Sequence, residues 1–198
     1  MNKKILKKFL ESHCASQKII ALGIGENGSQ ILNFSKEISG IKFAKLNNKA
    51  DCEKFEDADL IFVIGDSEIT ADVAKFVKDL GILTIAIAST DNDALKIKLK
   101  DNSDTLISFD ESIFLDEQMN LYKNVLESVS DLVINSGFVN LDFEDIKNIL
   151  HDNGIVFWGS GRSEEGADRA KTAALRAIQS CERVKNAKNV LLCVKTGN

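Results

Sequence analysis

The chain of 198 residues and 21.8 kDa has room for one globular domain, or for one domain and part of another, and it excludes a long repeat array. Hydrophobic content of 44%, charged content of 28% and a mean hydropathy of -0.08 exclude global disorder. A net charge of -5, from 25 basic and 30 acidic residues, argues against a general nucleic-acid surface, which needs a positive footprint for phosphate contacts. Cys14, Cys52, Cys181 and Cys193 form no CxxC pair and have only His13 and His151 for company, too few for a spaced zinc site. That usage predicts buried, reduced thiols in a cytoplasmic protein. No apolar run approaches the roughly 20 residues that span a bilayer, and Lys7-Lys8 interrupt what would be a signal-peptide core.

In chain order, residues 1–17 place Ile5, Leu6, Phe9 and Leu10 at helical spacing with lysines off the stripe. This predicts an amphipathic helix packed on its own domain rather than on a membrane surface. From residue 18 short β-branched apolar runs take over: KIIALGIG, IKFAKL, ADLIFVIG, GILTIAIAS and SDTLISF. Continuous apolar runs of this length are strands buried on both faces, as a parallel sheet flanked by helices requires. Helical candidates lie between them at 28–38, 68–80 and 93–100, so the alternation is βαβ. A longer helix is predicted over 120–135, stopping at Ser136-Gly137. Asp142 then opens another helix with Asp145 three residues on, and an acidic first turn suits the helix dipole. A strand at 155–158, a helix at 165–179 and a strand at 190–194 close the chain, and that last strand has no neighbour in view. The second unit therefore reads as incomplete, with divisions at 1–17, 18–139 and 140–198.

The turn after the first strand reads Gly23-x-Gly25-x-x-Gly28, followed by Ser29 and Gln30. A glycine-rich turn opening a helix lets backbone amides and the helix N-terminus hold phosphate. A tight βα turn in any doubly wound fold selects glycine as well, and both readings stand. A dinucleotide site would end its second strand in an acid for the ribose hydroxyls. Asn47 and Asn48 stand there instead, and an NAD-type Rossmann protein becomes a secondary alternative.

GIGENGSQ, LNNKAD, ADLIFVIG to GILTIAIAS, SDTLISFDESIFL and, above all, GFVNLDFEDIKNIL followed by NGIVFWGSG, EEGADRAKTAALRAI and NVLLCVKTG resemble, in order, the FtsZ cell-division family of the tubulin superfamily. The resemblance runs from about residue 18 to 198. It implies an α/β fold: a Rossmann-like nucleotide-binding domain with a parallel sheet in 3-2-1-4-5-6 order, a long central helix and a truncated α+β second domain. It also implies GTP or GDP as ligand, with Gly23, Gly25, Gly28, Ser29, Gln30, Asn47 and Asn120 on the nucleotide face. Asn140, Asp142 and Asp145 match the family's synergy loop, whose acids position the attacking water on a nucleotide held by the next subunit.

The departures fall on one face. Glu26 and Asn27 interrupt the first loop, and Gln30 replaces the base-contacting Asn of the family. Asp66-Ser67-Glu68-Ile69-Thr70 stands where the family has a Gly- and Thr-rich phosphate loop, and Leu121 falls on its guanine-reading Asp. The stretch 47–57 is too short for a third phosphate loop. The expectation is an FtsZ-like protein with a degenerate GTP site and negligible intrinsic hydrolysis, at most a GTPase completed in trans between subunits. Such a protein acts through its synergy loop on FtsZ-type subunits or on itself; an active GTP-hydrolysing polymer subunit is the alternative.

The smaller features are given bland assignments. Phe157 and Trp158 are expected in the core, His13 and His151 without a role, and Lys96, Lys98 and Lys100 on a solvated face. Arg162, Arg169 and Arg176 read as surface charge paired with Glu164 or Asp168.

Overall fold

The computed structural model describes residues 17–46, 53–109, 115–134, 142–151, 154–164, 166–181, 185 and 187–195. The helix expected over 1–17 lies outside them, apart from Gln17. Strands β1 (Ile19–Ile24), β2 (Ile41–Leu46), β3 (Leu60–Ile64), β4 (Leu83–Ser89), β5 (Thr105–Phe109) and β6 (Gly154–Val156) form one sheet in the order β2-β1-β3-β4-β5-β6. Every pairing in it is parallel. The helices are α1 (Gly25–Ser35), α2 (Glu68–Asp79), α3 (Asp93–Asn102), α4 (Leu115–Ile134), α5 (Phe143–Leu150) and α6 (Arg169–Gln179).

The apolar runs explain this order. Every residue of β1, β3 and β4 is buried, so these strands need cover on both faces and take the centre. In β2 only Leu46 is buried, and Lys42 and Lys45 are exposed, a composition suited to an outer strand because charge discourages further pairing. Alternate residues supply the two cores. On one face Ile31 and Leu32 of α1, Tyr122, Val125 and Leu126 of α4, and Ile146 and Leu150 of α5 pack on Ile19, Phe62, Ile64 and Ile85. On the other, Val73, Ala74 and Val77 of α2 pack on Ile20, Leu22, Ile61 and Val63, while Leu95 and Leu99 of α3 pack on Ala86 and Leu106. Each fully buried Ile, Leu or Val contributes about 1.5 to 3 kcal/mol through area removed from water.

Several expectations need correction. The order is 2-1-3-4-5-6, not 3-2-1-4-5-6: among the described residues no strand lies between β2 and β3, and β2 occupies the edge. The strand expected at 190–194 does not form. Leu191 packs on the main core and Lys195 pairs with Asp131, but Val190, Leu192 and Val194 are 66%, 73% and 73% exposed, and apolar residues without a neighbouring strand cannot complete a ladder. The strand expected at 155–158 is β6 alone, with Phe157 exposed and Trp158 against the core. Cys193 is exposed on that tail and Cys181 half-buried, so neither is the buried thiol expected; Cys14 and Cys52 lie outside the described residues.

α6 buries none of its residues in the main core. It lies against 159–162, where Ser180 Oγ donates to the Ser160 carbonyl at 3.0 Å and accepts from the Ser160 amide at 2.9 Å. Arg176 donates to the Arg162 carbonyl, and Arg162 pairs with Glu164 at 2.9 Å, as surface charge should.

Candidate functional site

α1 packs on one face of the sheet and α2 on the other, so the chain reverses direction between the adjacent strands β1 and β3. In open α/β sheets that switch point, beyond the strands' C-terminal ends, forms the ligand crevice. Gly25 follows β1 there and Gly65 follows β3. Gly23 and Gly28 are buried, Ser29 is half-buried, and Gly25 and Gln30 are exposed. Gly28 is required by contact: a Cβ on it would lie 2.4 Å from the Ile64 carbonyl oxygen.

The β3–α2 turn closes on itself. Ser67 is the N-cap of α2 and accepts from the Thr70 amide, while Thr70 Oγ1 accepts from the Ser67 amide, each at 3.4 Å. This capping box engages two backbone donors at the helix start. Asn27 Nδ2 donates to Asp66 Oδ2 at 3.0 Å, tying the glycine turn to the β3 turn across the switch point. Glu26, Asp66 and Glu68 are exposed around that junction. Lys98, expected on a solvated face, pairs with Glu68 and, at 3.1 Å, with Asp72, and so bridges α3 to α2.

Tyr122 of α4 lies beneath this crevice. Burial first, and then the Asp66 carboxylate, push its phenol well above the usual range, opposed by the Ser89 backbone. Among the described residues Tyr122 Oη has no hydrogen-bond partner of normal geometry, and its ring meets Phe109 edge-on at 5.3 Å. Sequence reasoning missed this residue because the apolar spacing of the helix runs through Val125 and Val129 and passes over a tyrosine. Asn120, two positions earlier, is exposed and donates to the Asp116 carbonyl of its own helix at 2.9 Å.

Asp142 and Asp145 stand elsewhere, at the exposed start of α5. Asp142 occupies the N-cap position, but its side chain makes no cap bond; its carbonyl accepts from the Asp145 amide at 3.1 Å. Among the described residues neither carboxylate has an ion-pair partner, and nothing brings either to the glycine turn. Asn47 and Asn140 lie outside the described residues.

No family model matches the chain. Cell division protein FtsZ 1 of Thermococcus kodakarensis is 26% identical over 170 residues, covering 71% of this chain and 45% of its own length. Two solved structures of M. jannaschii FtsZ, an empty dimer and a single-residue mutant, superpose with TM-scores of 0.71 and 0.69 at 20% identity; each covers 90% of this chain, against 72% and 74% of theirs. The chain shares the fold of these FtsZ structures and is similar in sequence to the T. kodakarensis protein. It spans less than half the length of the T. kodakarensis relative. Among the described residues of this FtsZ-like chain no helix is long and apolar enough to cross a membrane.

Proposed function

We propose that this FtsZ-like chain serves cell-division filament assembly through the face carrying Asn140, Asp142 and Asp145, while its nucleotide face holds GTP or GDP weakly at best. The observation that carries this reading is the closed turn at 66–70. Its capping box engages backbone donors that a phosphate chain would need, and the exposed Glu26 and Asp66 add negative charge on the two turns, Glu68 being paired with Lys98. Negative charge there repels a highly charged anion. At the other face Asp142 and Asp145 are exposed at a helix start and, among the described residues, have no ion-pair partner. Heterologous contacts propagate a filament only when each subunit offers both faces. A subunit offering one face adds to an end and stops growth there.

Light scattering of an assembling FtsZ tests this. Substoichiometric addition of the chain is expected to shorten or cap polymer, and Asp142→Lys with Asp145→Lys is expected to abolish the effect with the fold unchanged by circular dichroism. Equal polymer with wild type, double mutant and no addition would remove the capping reading.

The exposed Leu175, Ile178, Val190, Leu192 and Val194 give the chain a separate route to a second copy of itself. Apolar surface of this kind favours association. Sedimentation velocity is expected to show concentration-dependent self-association that Leu192→Glu with Val194→Glu reduces; a strict monomer at high concentration would remove this contact.

A further inference from the structure

At the opposite end of the sheet from the glycine turn, a cavity of about 160 Å³ opens between the last turn of α2, the starts of β4 and β5, and the end of α5. Lys78, Gly81, Leu83, Asp104, Lys147 and His151 line it. Asp104 sets its chemistry. The residue is 2% exposed; Oδ2 accepts from the Thr84 amide at 2.9 Å, and Oδ1 has no hydrogen-bond partner. Lys78 Nζ at 3.5 Å balances the charge and His151 Nε2 lies at 3.6 Å, but both stand beyond hydrogen-bond length from Oδ1. Lys78 Nζ donates instead to the Ser103 carbonyl at 3.1 Å. Buried acceptors are nearly always satisfied by protein, water or ligand.

The lining holds one acid against two lysines and a histidine, so positive charge is in surplus while one buried atom needs a proton. A divalent cation is disfavoured by the lysines. An anion without a proton would set its own oxygen against Oδ1. We propose that this cavity binds a protonated phosphate-class oxyanion, either hydrogen phosphate or the phosphoryl group of a small phosphomonoester, whose P–OH donates to Asp104 Oδ1 while its other oxygens accept from Lys147 and His151. Charge-assisted bonds from such groups are the strong ones. The space exceeds what one water fills, since a water's share of liquid is about 30 Å³.

Backbone amide NMR shifts of Gly81, Leu83 and Thr84 in the full chain, in phosphate-free buffer, test the proposal. Inorganic phosphate is expected to move these amides saturably, and sulfate at matched ionic strength is not. Lys147→Gln is expected to weaken phosphate binding by about tenfold or more. Asp104→Asn, whose amide donates, is expected to admit sulfate. Glycerol phosphate separates the two sources: tighter binding than inorganic phosphate assigns the site to a phosphomonoester, and weaker binding to the free ion. No saturable phosphate shift, an equal response to sulfate in the wild type, or an affinity unchanged by Lys147→Gln overturns the proposal, with water then filling the cavity.

Discussion

Titrated with GTP in a calorimeter, the protein is expected to bind at least about a thousandfold more weakly than a site with a full phosphate-cradling loop, and its steady turnover is expected to be negligible. The magnitude follows from the β3–α2 turn. Each charge-assisted donor lost from a phosphate contributes about 1.5 to 3 kcal/mol, so losing three removes at least about 4 kcal/mol, or three orders of magnitude in affinity. Hydrolysis also needs donors preorganised where charge develops. Here Asp66 and Glu68 flank the N-cap of α2, and the Ser67 and Thr70 amides are committed to the capping box. Replacing Asp66 and Ser67 together by glycine should release part of this and raise affinity. Tight GTP binding, with turnover lost in Asp142→Ala, would establish an active polymer subunit instead, and NAD binding would overturn both readings.

Gly28→Ala is expected to destabilise the protein by about 3 kcal/mol, whereas Gly25→Ala, only three positions away, should cost about 1 kcal/mol. At Gly28 the new methyl would lie 2.4 Å from the Ile64 carbonyl oxygen and 3.0 Å from the backbone of Gly23. Both neighbours are sheet backbone that cannot turn aside, and such overpacking is costly. At Gly25 a Cβ meets nothing within 4 Å among the described residues, and the cost is that of holding an L-residue at φ +71°. Thermal unfolding separates them: at about 2 to 4 °C per kcal/mol, Gly28→Ala should lose roughly 6 to 12 °C and Gly25→Ala a few degrees. Equal melting temperatures would mean that the switch-point packing is looser than these contacts imply.

The central sheet was legible because its strands are buried on both faces. LIFVI and LTIAIAS leave no polar side to place in water, so a parallel sheet between helices is the available solution. α2 was legible from its apolar spacing, and its observed span, Glu68–Asp79, differs from 68–80 by one residue. The strand order was not legible from the residues; the family resemblance supplied an outermost strand that the short link over 47–59 does not provide among its described residues. The tail failed for a related reason. An apolar run at 190–194 states a capacity to pair, and pairing depends on a neighbour that local sequence cannot name. The capping box had no local signature, since its N3 residue is Thr70 where the usual pattern has Glu or Gln. The Asp104 cavity had none. Its lysines, histidine and carboxylate come from α2, from the segment before β5 and from α5, and only the folded sheet brings them together.

Hydrogen exchange should divide the molecule unequally. α6 and the segment at 159–162 hold each other through Ser160, Ser180, Arg162 and Arg176, and the helix sends no side chain into either main core. An isolated helix shorter than about 12 to 15 residues is marginal in water, so this pair opens as one small cooperative unit at a free energy far below that of the sheet. Its amides should lose protection together while those of β1, β3 and β4 remain protected. A protease given limited time would then trim this end first and leave the six-stranded sheet intact.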